Sequence, residues 1–448
     1  MCGVLAFIGV APDAEAVVSA LELIRHRGQD GFGFWVHDRD EKGVHCAHFR
    51  QTGKGVTETA RQLLVNNPHT FIAHWRYATR GGGGLENMHP LLIDNGKVAI
   101  AHNGQFQMSS ALRNDQTSDS VLFARSVEEQ PSGALGKRIF SALGDLGGAF
   151  ALVASDGETL VAARDRFAIR PLFWARYSGG IAVSSEVPTL LRLGCQIIED
   201  VEPGSVVDWT PAGPDNVWML PAARPAPCSF EHIYFHAADG RLDGRPVYWL
   251  RYLLGRQLAQ EAPTLDAAVV SVPKSADAFA HGFADTLGLP LEPAISVRPE
   301  AARTFIAAES SRADTIRRKY VVHGDIVAGK SLVLVDDSLV RGSTLAYLVK
   351  ELRAAGAAQV HARIGSPPFR HPCYFGVDVP DRTQLICDGR NIEDVCALLD
   401  LDSLSFLSLA GLHRALGANI CTGCFSGTYP EGALDSVLED AVASAAGR

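Results

Sequence analysis

No run of apolar residues in this 448-residue chain approaches the ~20 needed to cross a bilayer. The N-terminus lacks a basic stretch followed by an apolar core, so no secretory signal is expected. Excess positive charge is missing as well. The formal net charge is −9, which argues against a broad nucleic-acid surface. Internal repeats and long low-complexity tracts are absent from the sequence. These absences point to a cytoplasmic protein that binds neither membrane nor nucleic acid. In that compartment nine cysteines suggest catalysis, metal binding or buried thiols rather than a disulfide framework.

The composition is that of a soluble globular protein, with 47% hydrophobic and 20% charged residues. At ~100–200 residues per domain the chain has room for two or three domains. Residues 2–8 read as a buried strand and 13–26 as an amphipathic helix. Short apolar runs then alternate with Gly-rich turns at Gly31–Trp35, Thr70–Ala73, Val98–His102, Gly148–Val153, Thr159–Ala163 and Gly180–Ser184. That rhythm predicts antiparallel strands. Gly81–Gly84 reads as a flexible loop, and the Pro-rich stretch Pro221–Pro227 as a linker. Beyond it, helices are expected over Val247–Glu261, Ala276–Leu287 and Thr344–Ala355, and strands over Ala267–Val272, Ser331–Val335 and Gln359–Ile364. Alternating strands and helices imply a parallel sheet.

Cysteine follows the initiator Met1. If Met1 is trimmed, Cys2 carries both a thiol and the α-amine, whose ordinary pKa of roughly 7.7–8.0 lets it serve as a base near neutrality. Four clusters give this position a context: HRGQD at 26–30, HWRYAT at 74–79, HNG at 102–104 and SD at 118–119. Arg76 has the planar fork that holds a carboxylate at two points. Asp119 suits an ammonium. The Asn103 side chain and the Gly104 N–H suit an oxyanion. Each also has a plain reading: Arg76 as an ion-pair partner, Asn103-Gly104 as a hairpin turn, Asp119 as a helix cap.

Together with HWRYATRGGGGLENMHP and RDRFAIRPLF, these clusters resemble the class II, N-terminal-nucleophile glutamine amidotransferases over roughly residues 2–210. The resemblance implies an αββα glutaminase domain. It makes Cys2 the nucleophile on the glutamine amide, Arg76 and Asp119 the binders of the glutamine α-carboxylate and α-amine, and Asn103 and Gly104 the oxyanion hole. Arg27 is implied as a support beside the nucleophile in the glutamine site. Gln105 stands where the family usually has Asn.

Ser331–Thr344 reads SLVLVDDSLVRGST: an apolar strand, two carboxylates, a Gly/Ser/Thr turn, then a helix. Carboxylates at 336 and 337 can accept from ribose hydroxyls, and the turn with the helix start can cradle a phosphate. The stretch resembles the phosphoribosyl-pyrophosphate (PRPP) fingerprint of type I phosphoribosyltransferases. Both halves, with FEHIYFHAADGRLDG and GSPPFRHPCYFGVDVPDR, resemble the amidophosphoribosyltransferase family over essentially the whole chain. A glutaminase domain over 2–225 and a transferase domain over 226–448 are implied. So is attack of glutamine-derived ammonia on C1 of PRPP, giving 5-phosphoribosylamine and pyrophosphate, the first step of purine synthesis.

The implied PRPP and Mg2+ residues are Asp336, Asp337, Ser338, Arg341, Gly342, Ser343, Thr344, Lys319, Lys274 and Ser275. A mobile loop around Arg303–Gly324 would close the ammonia channel, and a homotetramer is implied. Spacing alone leaves CTGC at 421–424, with Cys228 and Cys373, open to zinc or to an iron–sulfur cluster. The resemblance implies a [4Fe–4S] cluster on Cys228, Cys373, Cys421 and Cys424. Cys46, Cys195, Cys387 and Cys396 read as buried or incidental.

The departures gather in the second half. PKSA at 273–276 replaces the usual PDSG, Gly324 stands where an Arg is usual, HAADG at 236–240 replaces RPDS, and SVRPEAA at 296–302 replaces NRYVG. Two other readings are therefore carried: an amidotransferase working on a modified PRPP-like acceptor, and a PRPP-binding regulator with weak transfer.

Overall fold

Apolar side chains on both faces of successive strands require cover from two sides, and the first half of the chain answers with two stacked sheets. The computed structural model describes residues 1–448 except 41–42, 53–56, 65, 79–83, 108–116, 145, 299–317, 380–381 and 435–448. Two compact units result. The first holds Met1–Cys228, Cys373–Asp378 and Tyr429–Arg448; the second holds Ser229–Pro372 and Val379–Thr428.

The strands of the first unit are β1 (Gly3–Gly9), β2 (Gly31–Asp40), β3 (Gly43–Thr52), β4 (Thr70–Arg76), β5 (Leu91–Ile93), β6 (Val98–Phe106), β7 (Gly148–Ser155), β8 (Leu160–Arg164), β9 (Phe173–Tyr177), β10 (Gly180–Ser184), β11 (Ile198–Asp200), β12 (Ser205–Thr210) and β13 (Gly213–Met219). One sheet runs β11-β9-β10-β1-β4-β2-β3 and the other β13-β12-β8-β7-β6-β5. Every pairing within them is antiparallel. Val4, Ala6, Ile8 and Ile72 of one sheet pack against Ala99, Ala101, Ala151 and Val153 of the other. Such a layer excludes water from both sheets and, at ~1.5–3 kcal/mol per large side chain buried, supplies much of the unit's stability.

Helices cover the outer faces. Asp119–Glu128 and Leu135–Leu143 pack Phe123, Val127 and Ile139 onto Ile100, Phe106 and Leu152. On the other side Ala14–Ile24 is capped by Asp13, which accepts from Ala16 N at 3.1 Å. That helix is tied to β4 by Trp75 Nε1 donating to Leu21 O at 3.0 Å. The order is helices, sheet, sheet, helices, as the αββα expectation requires. One local reading fails. His102-Asn103-Gly104 is no hairpin turn but lies inside β6, with Asn103 opposite Ala151 of β7. Gly81–Gly83 of the expected flexible loop lies outside the described residues.

The second unit contains β14 (Arg241–Leu242), β15 (Arg245–Pro246), β16 (Ala268–Ser271), β17 (Ile295–Val297), β18 (Tyr320–Val322), β19 (Ser331–Asp336), β20 (Gln359–Ile364) and β21 (Ser403–Phe406). Its main sheet, β16-β19-β20-β21, is parallel throughout. The helix Ser343–Ala354 makes the crossover from β19 to β20, as parallel neighbours require. The sequence reading missed β21, whose SLSF pattern is too short to stand out. Arg303 and the rest of the expected mobile loop up to 317 lie outside the described residues. Its later part is regular: β18 pairs with β17, and Gly324 opens the short helix Gly324–Val327.

Candidate active site

The first site is built along one edge of β6. β5 pairs only with Val98–Ile100, so from Ala101 onward this edge has no strand partner among the described residues. In an antiparallel ladder alternate residues turn their N–H and C=O to opposite sides. Asn103 faces β7, which turns Gly104 N–H to the open edge, on the same side as Phe106 N. Phe106 N donates to Asp119 Oδ2 at 2.7 Å and so fixes that carboxylate beside the edge. The helix beginning at Asp119 is capped by Ser118, whose hydroxyl accepts from Val121 N. Capping is therefore the work of Ser118, which leaves the Asp119 carboxylate facing the site.

Gly104 has φ +139°, and a Cβ there would lie 2.0 Å from Ala149 O, so the position admits only glycine. The Asn103 side chain is fully buried, and among the described residues neither its Nδ2 nor its Oδ1 has a hydrogen-bond partner. An unpaired buried amide is costly. A ligand oxygen at this edge would satisfy its Nδ2.

β4 brings Arg76 and Tyr77 to the same place. Tyr77 N donates to Cys2 Sγ at 3.4 Å, so the thiol stands at the end of β4. Arg76 is buried. Burial lowers its guanidinium pKa, while the acidic groups nearby, Asp30, Glu86 and Asp119 among them, act in the opposite sense. Cys2, Arg76, Asn103, Gly104 and Asp119 thus come together. Met1 precedes the thiol and is itself buried. Arg27 packs against Gly3, the residue after Cys2, where a Cβ would lie 3.3 Å from the Arg27 Cβ. Its Nε donates to Glu186 Oε1 at 2.6 Å in a buried structural ion pair.

Sequence reasoning missed three features. Asp30 accepts from Ala78 N at 2.8 Å, a role visible in hindsight in HRGQD. The segment Cys373–Asp378 crosses this unit from far along the chain. Asp378 accepts from Tyr77 OH at 3.4 Å, Tyr374 O from Gln107 at 2.7 Å, and a Cβ on Gly376 would lie 2.9 Å from Gly104 O. No local pattern announces such a long-range strap.

The third missed feature is a buried trio, His74, His89 and His102. The rings of His74 and His89 lie 4.3 Å apart and those of His89 and His102 6.4 Å apart. Burial lowers the pKa of His74 and of His102 to about 3, and that of His89 well below its ordinary value. All three are neutral at working pH. The unfolded chain takes up these protons near pH 6.5 while the folded chain refuses them. Stability is therefore complete above pH 6.5 and is lost as pH falls toward 3. At ~1.4 kcal/mol per pH unit per group, His74 and His102 alone cost the folded state on the order of 4 kcal/mol at pH 5. A urea midpoint followed by tryptophan fluorescence will fall accordingly between pH 7.5 and pH 5. An unchanged midpoint refutes the assignment.

The second site stands where β19 ends in the other unit. Asp336 and Asp337 are buried. Burial pushes both carboxyls up, and Asp337 pushes Asp336 further. Ser338 Oγ donates to Asp337 at 2.5 Å, and the Ser275 hydroxyl also bonds that carboxylate. Lys319 faces the pair; burial lowers its pKa while Asp336 and Asp337 raise it. Gly342 adopts φ +80°, a left-handed turn before the helix Ser343–Ala354, whose first N–H groups at Ser343 and Thr344 open toward the loop. Arg341 instead spends its Nε on Gln384, at 3.0 Å. Lys274 is exposed. Ala276, which stands where PDSG has its glycine, has φ −93°, so no positive φ is required there, and the residue packs in the core.

Among the described residues, no three His, Cys, Asp or Glu side chains form a group able to hold a metal ion. None of the nine cysteines is in a disulfide; Cys228, Cys421, Cys195 and Cys387 are buried and Cys46 is exposed. Within the second unit, Ser229 N and Oγ bond Cys421 O at 3.2 and 2.7 Å, and Arg370 N and His371 N both bond Cys424 O at 3.1 Å. Cys228 directly precedes Ser229, and Cys373 follows His371 by two residues.

Comparison with known proteins settles the family. The amidophosphoribosyltransferase of Bacillus subtilis is 33% identical, over 96% of this chain and 94% of its own. The chain belongs to the amidophosphoribosyltransferase family. Relatives of that name in Synechococcus elongatus and Methanocaldococcus jannaschii are 35% and 32% identical, over 96% and 93% of this chain and 91% and 94% of theirs. The profile described as a glutamine amidotransferase domain matches residues 84–192. A solved glutamine PRPP amidotransferase from B. subtilis, complexed with ADP and GMP, superposes with a TM-score of 0.85. It is 30% identical, and the match covers 97% of this chain and 98% of that one. The amidophosphoribosyltransferase architecture, a glutamine amidotransferase domain with a parallel-sheet phosphoribosyltransferase domain, is thus that of an enzyme. No described helix is long and apolar enough to cross a membrane.

Proposed function

We propose that this chain is a glutamine-dependent amidophosphoribosyltransferase of purine synthesis. The observation that carries the reading is the buried, unpartnered amide of Asn103 next to Gly104 N–H on the open edge of β6, with Cys2, Arg76 and Asp119 around it. Removal of Met1 gives Cys2 the α-amine that takes the thiol proton. The sulfur then attacks the glutamine amide carbon, while Arg76 holds the α-carboxylate and Asp119 the α-ammonium. Asn103 Nδ2 and Gly104 N–H receive the oxyanion. Ammonia departs, and water releases glutamate from the thioester. Arg27 acts at one remove, through its pair with Glu186.

In the second unit Asp336 and Asp337 would hold the ribose hydroxyls and, with them, magnesium. The turn from Ser338 to Thr344, with Arg341, Gly342 and Ser343, would hold the 5-phosphate. Lys319, Lys274 and Ser275 would face the pyrophosphate. Magnesium, when bound, supplies charge neutralisation for the leaving pyrophosphate. Cys228, Cys373, Cys421 and Cys424 would hold a [4Fe–4S] cluster. The support for this is the resemblance of CTGC and of the sequence around Cys228 and Cys373 to the cluster-bearing branch of the family, with all four thiols outside any disulfide. Its contribution is structural, tying the C-terminal segment down. A cytoplasmic homotetramer is part of the same reading.

Exposed Lys274, where an acid is usual, favours a second reading: an acceptor related to PRPP but modified. Purified enzyme given glutamine, Mg2+ and PRPP will release glutamate and pyrophosphate together. Glutamate release that ignores PRPP, with no pyrophosphate, refutes the first reading and supports the second.

A further inference from the structure

Two imidazoles occupy the place of a missing strand. β5 stops pairing at Ile100, yet the His102 peptide groups on that edge are both bonded. His102 N donates to His89 Nδ1 at 3.2 Å, and His74 Nε2 donates to His102 O at 3.0 Å. These two bonds fix the tautomers: His89 must present a bare Nδ1, and His74 must carry its proton on Nε2. The His102 ring is held in turn through Nδ1 to Ser120 Oγ at 2.9 Å. His102 immediately precedes Asn103, whose buried amide has no partner of its own to aim it. An unpaired strand edge would let this backbone shift, and a side chain placed about 1 Å off its target loses much of its effect.

Resting on the glutaminase reading above, we propose that His74 and His89 are positioning residues. They hold the N–H and the C=O of His102 along one edge and so aim Asn103 and Gly104 at the oxyanion. The clamp needs a neutral His89, since a protonated Nδ1 cannot accept, whereas His74 donates from Nε2 in either state. Burial keeps both neutral, as their lowered pKa values record.

The test compares His89→Leu, which removes the acceptor, with His89→Gln, whose Oε1 restores one. Misaiming an oxyanion donor should cost about 10- to 100-fold in kcat for glutamate release. His89→Leu is expected to show that loss with KM for glutamine changed less than about threefold, because Arg76 and Asp119 still hold the ends of glutamine. His89→Gln is expected to recover kcat to within about threefold of wild type. Amide hydrogen exchange over residues 98–106 should rise in His89→Leu and return in His89→Gln, whatever reaction the site runs. Unchanged exchange, a loss confined to KM, or failure of glutamine to rescue a folded enzyme each overturns the clamp. Absence of glutamate release from the wild-type enzyme overturns the proposed function instead, and the exchange result still decides the clamp.

Discussion

Cys2→Ala will abolish glutamine-dependent synthesis, by at least about 10⁴-fold, and leave ammonia-dependent pyrophosphate release from PRPP in place. The size of the loss follows from what remains. Without the sulfur there is no covalent route, and the Asn103–Gly104 edge can only stabilise attack by water. The survival of the second reaction follows from the placement of the groups. Asp336, Asp337, Ser275, Ser338 and Lys319 all belong to the other compact unit. Little stability is at stake, since the thiol is half-buried and its hydrogen-bonding partners are the Tyr77 backbone N and O. Two measurements check this: glutamate release with glutamine, and pyrophosphate release with ammonium salt. If both fall together while the fold persists, Cys2 is not the nucleophile of a separable glutaminase. Mass spectrometry of active enzyme should find Cys2 as the first residue, because only then is the α-amine next to the thiol.

The parts of the site that could be read in the sequence are those whose chemistry is local. Cys2, Arg76, Asn103, Gly104 and Asp119 sit in short motifs, and DDSLVRGST places two carboxylates, a glycine turn and a helix start in one run. Most of the strands read from periodicity end within a residue or two of those observed, but β2, β4 and β6 run three to five residues further and many short strands went unread. Val247–Glu261 and Gln359–Ile364 match. Where reading failed, the cause was usually distance. Asp378 meets Tyr77 across 301 residues, and no local pattern encodes that. The buried histidines escaped notice for another reason: a lone His is ordinary in a core, and only the fold shows three of them sharing one edge. Asn103-Gly104 was ambiguous because the same dipeptide favours a hairpin turn. Its position inside β6 was decided by pairing with β7, a tertiary effect that overrides the local preference. Arg27 could be read as a support near the nucleophile, but its buried partner Glu186, 159 residues away, could not.

Asp337→Asn should move stability and activity in opposite directions. Asp336 and Asp337 are both buried, and burial raises both pKa values above 3.8. The unfolded chain ionises freely above 3.8, whereas the folded chain must force two neighbouring charges into a poorly solvated place. The folded state therefore binds more protons over that range, and stability falls as pH rises through it. At neutral pH the pair is a liability to the empty enzyme. Asparagine is nearly isosteric, and its Oδ1 still accepts from Ser338 and Ser275, so the charge goes while the hydrogen bonds remain. The melting temperature of the ligand-free protein should rise by roughly 2–4 °C for each kcal/mol relieved. Pyrophosphate release should fall roughly 10- to 100-fold, the worth of a charged hydrogen bond to a ribose hydroxyl. Added Mg2+ and PRPP should stabilise the wild type more than the variant, because only the wild type presents the full charge they neutralise. A variant that melts lower than wild type, yet still transfers, would make Asp337 an anchor for the β19 turn rather than a substrate ligand. The predicted crossing of the two effects is what a binding site kept at the expense of stability should show.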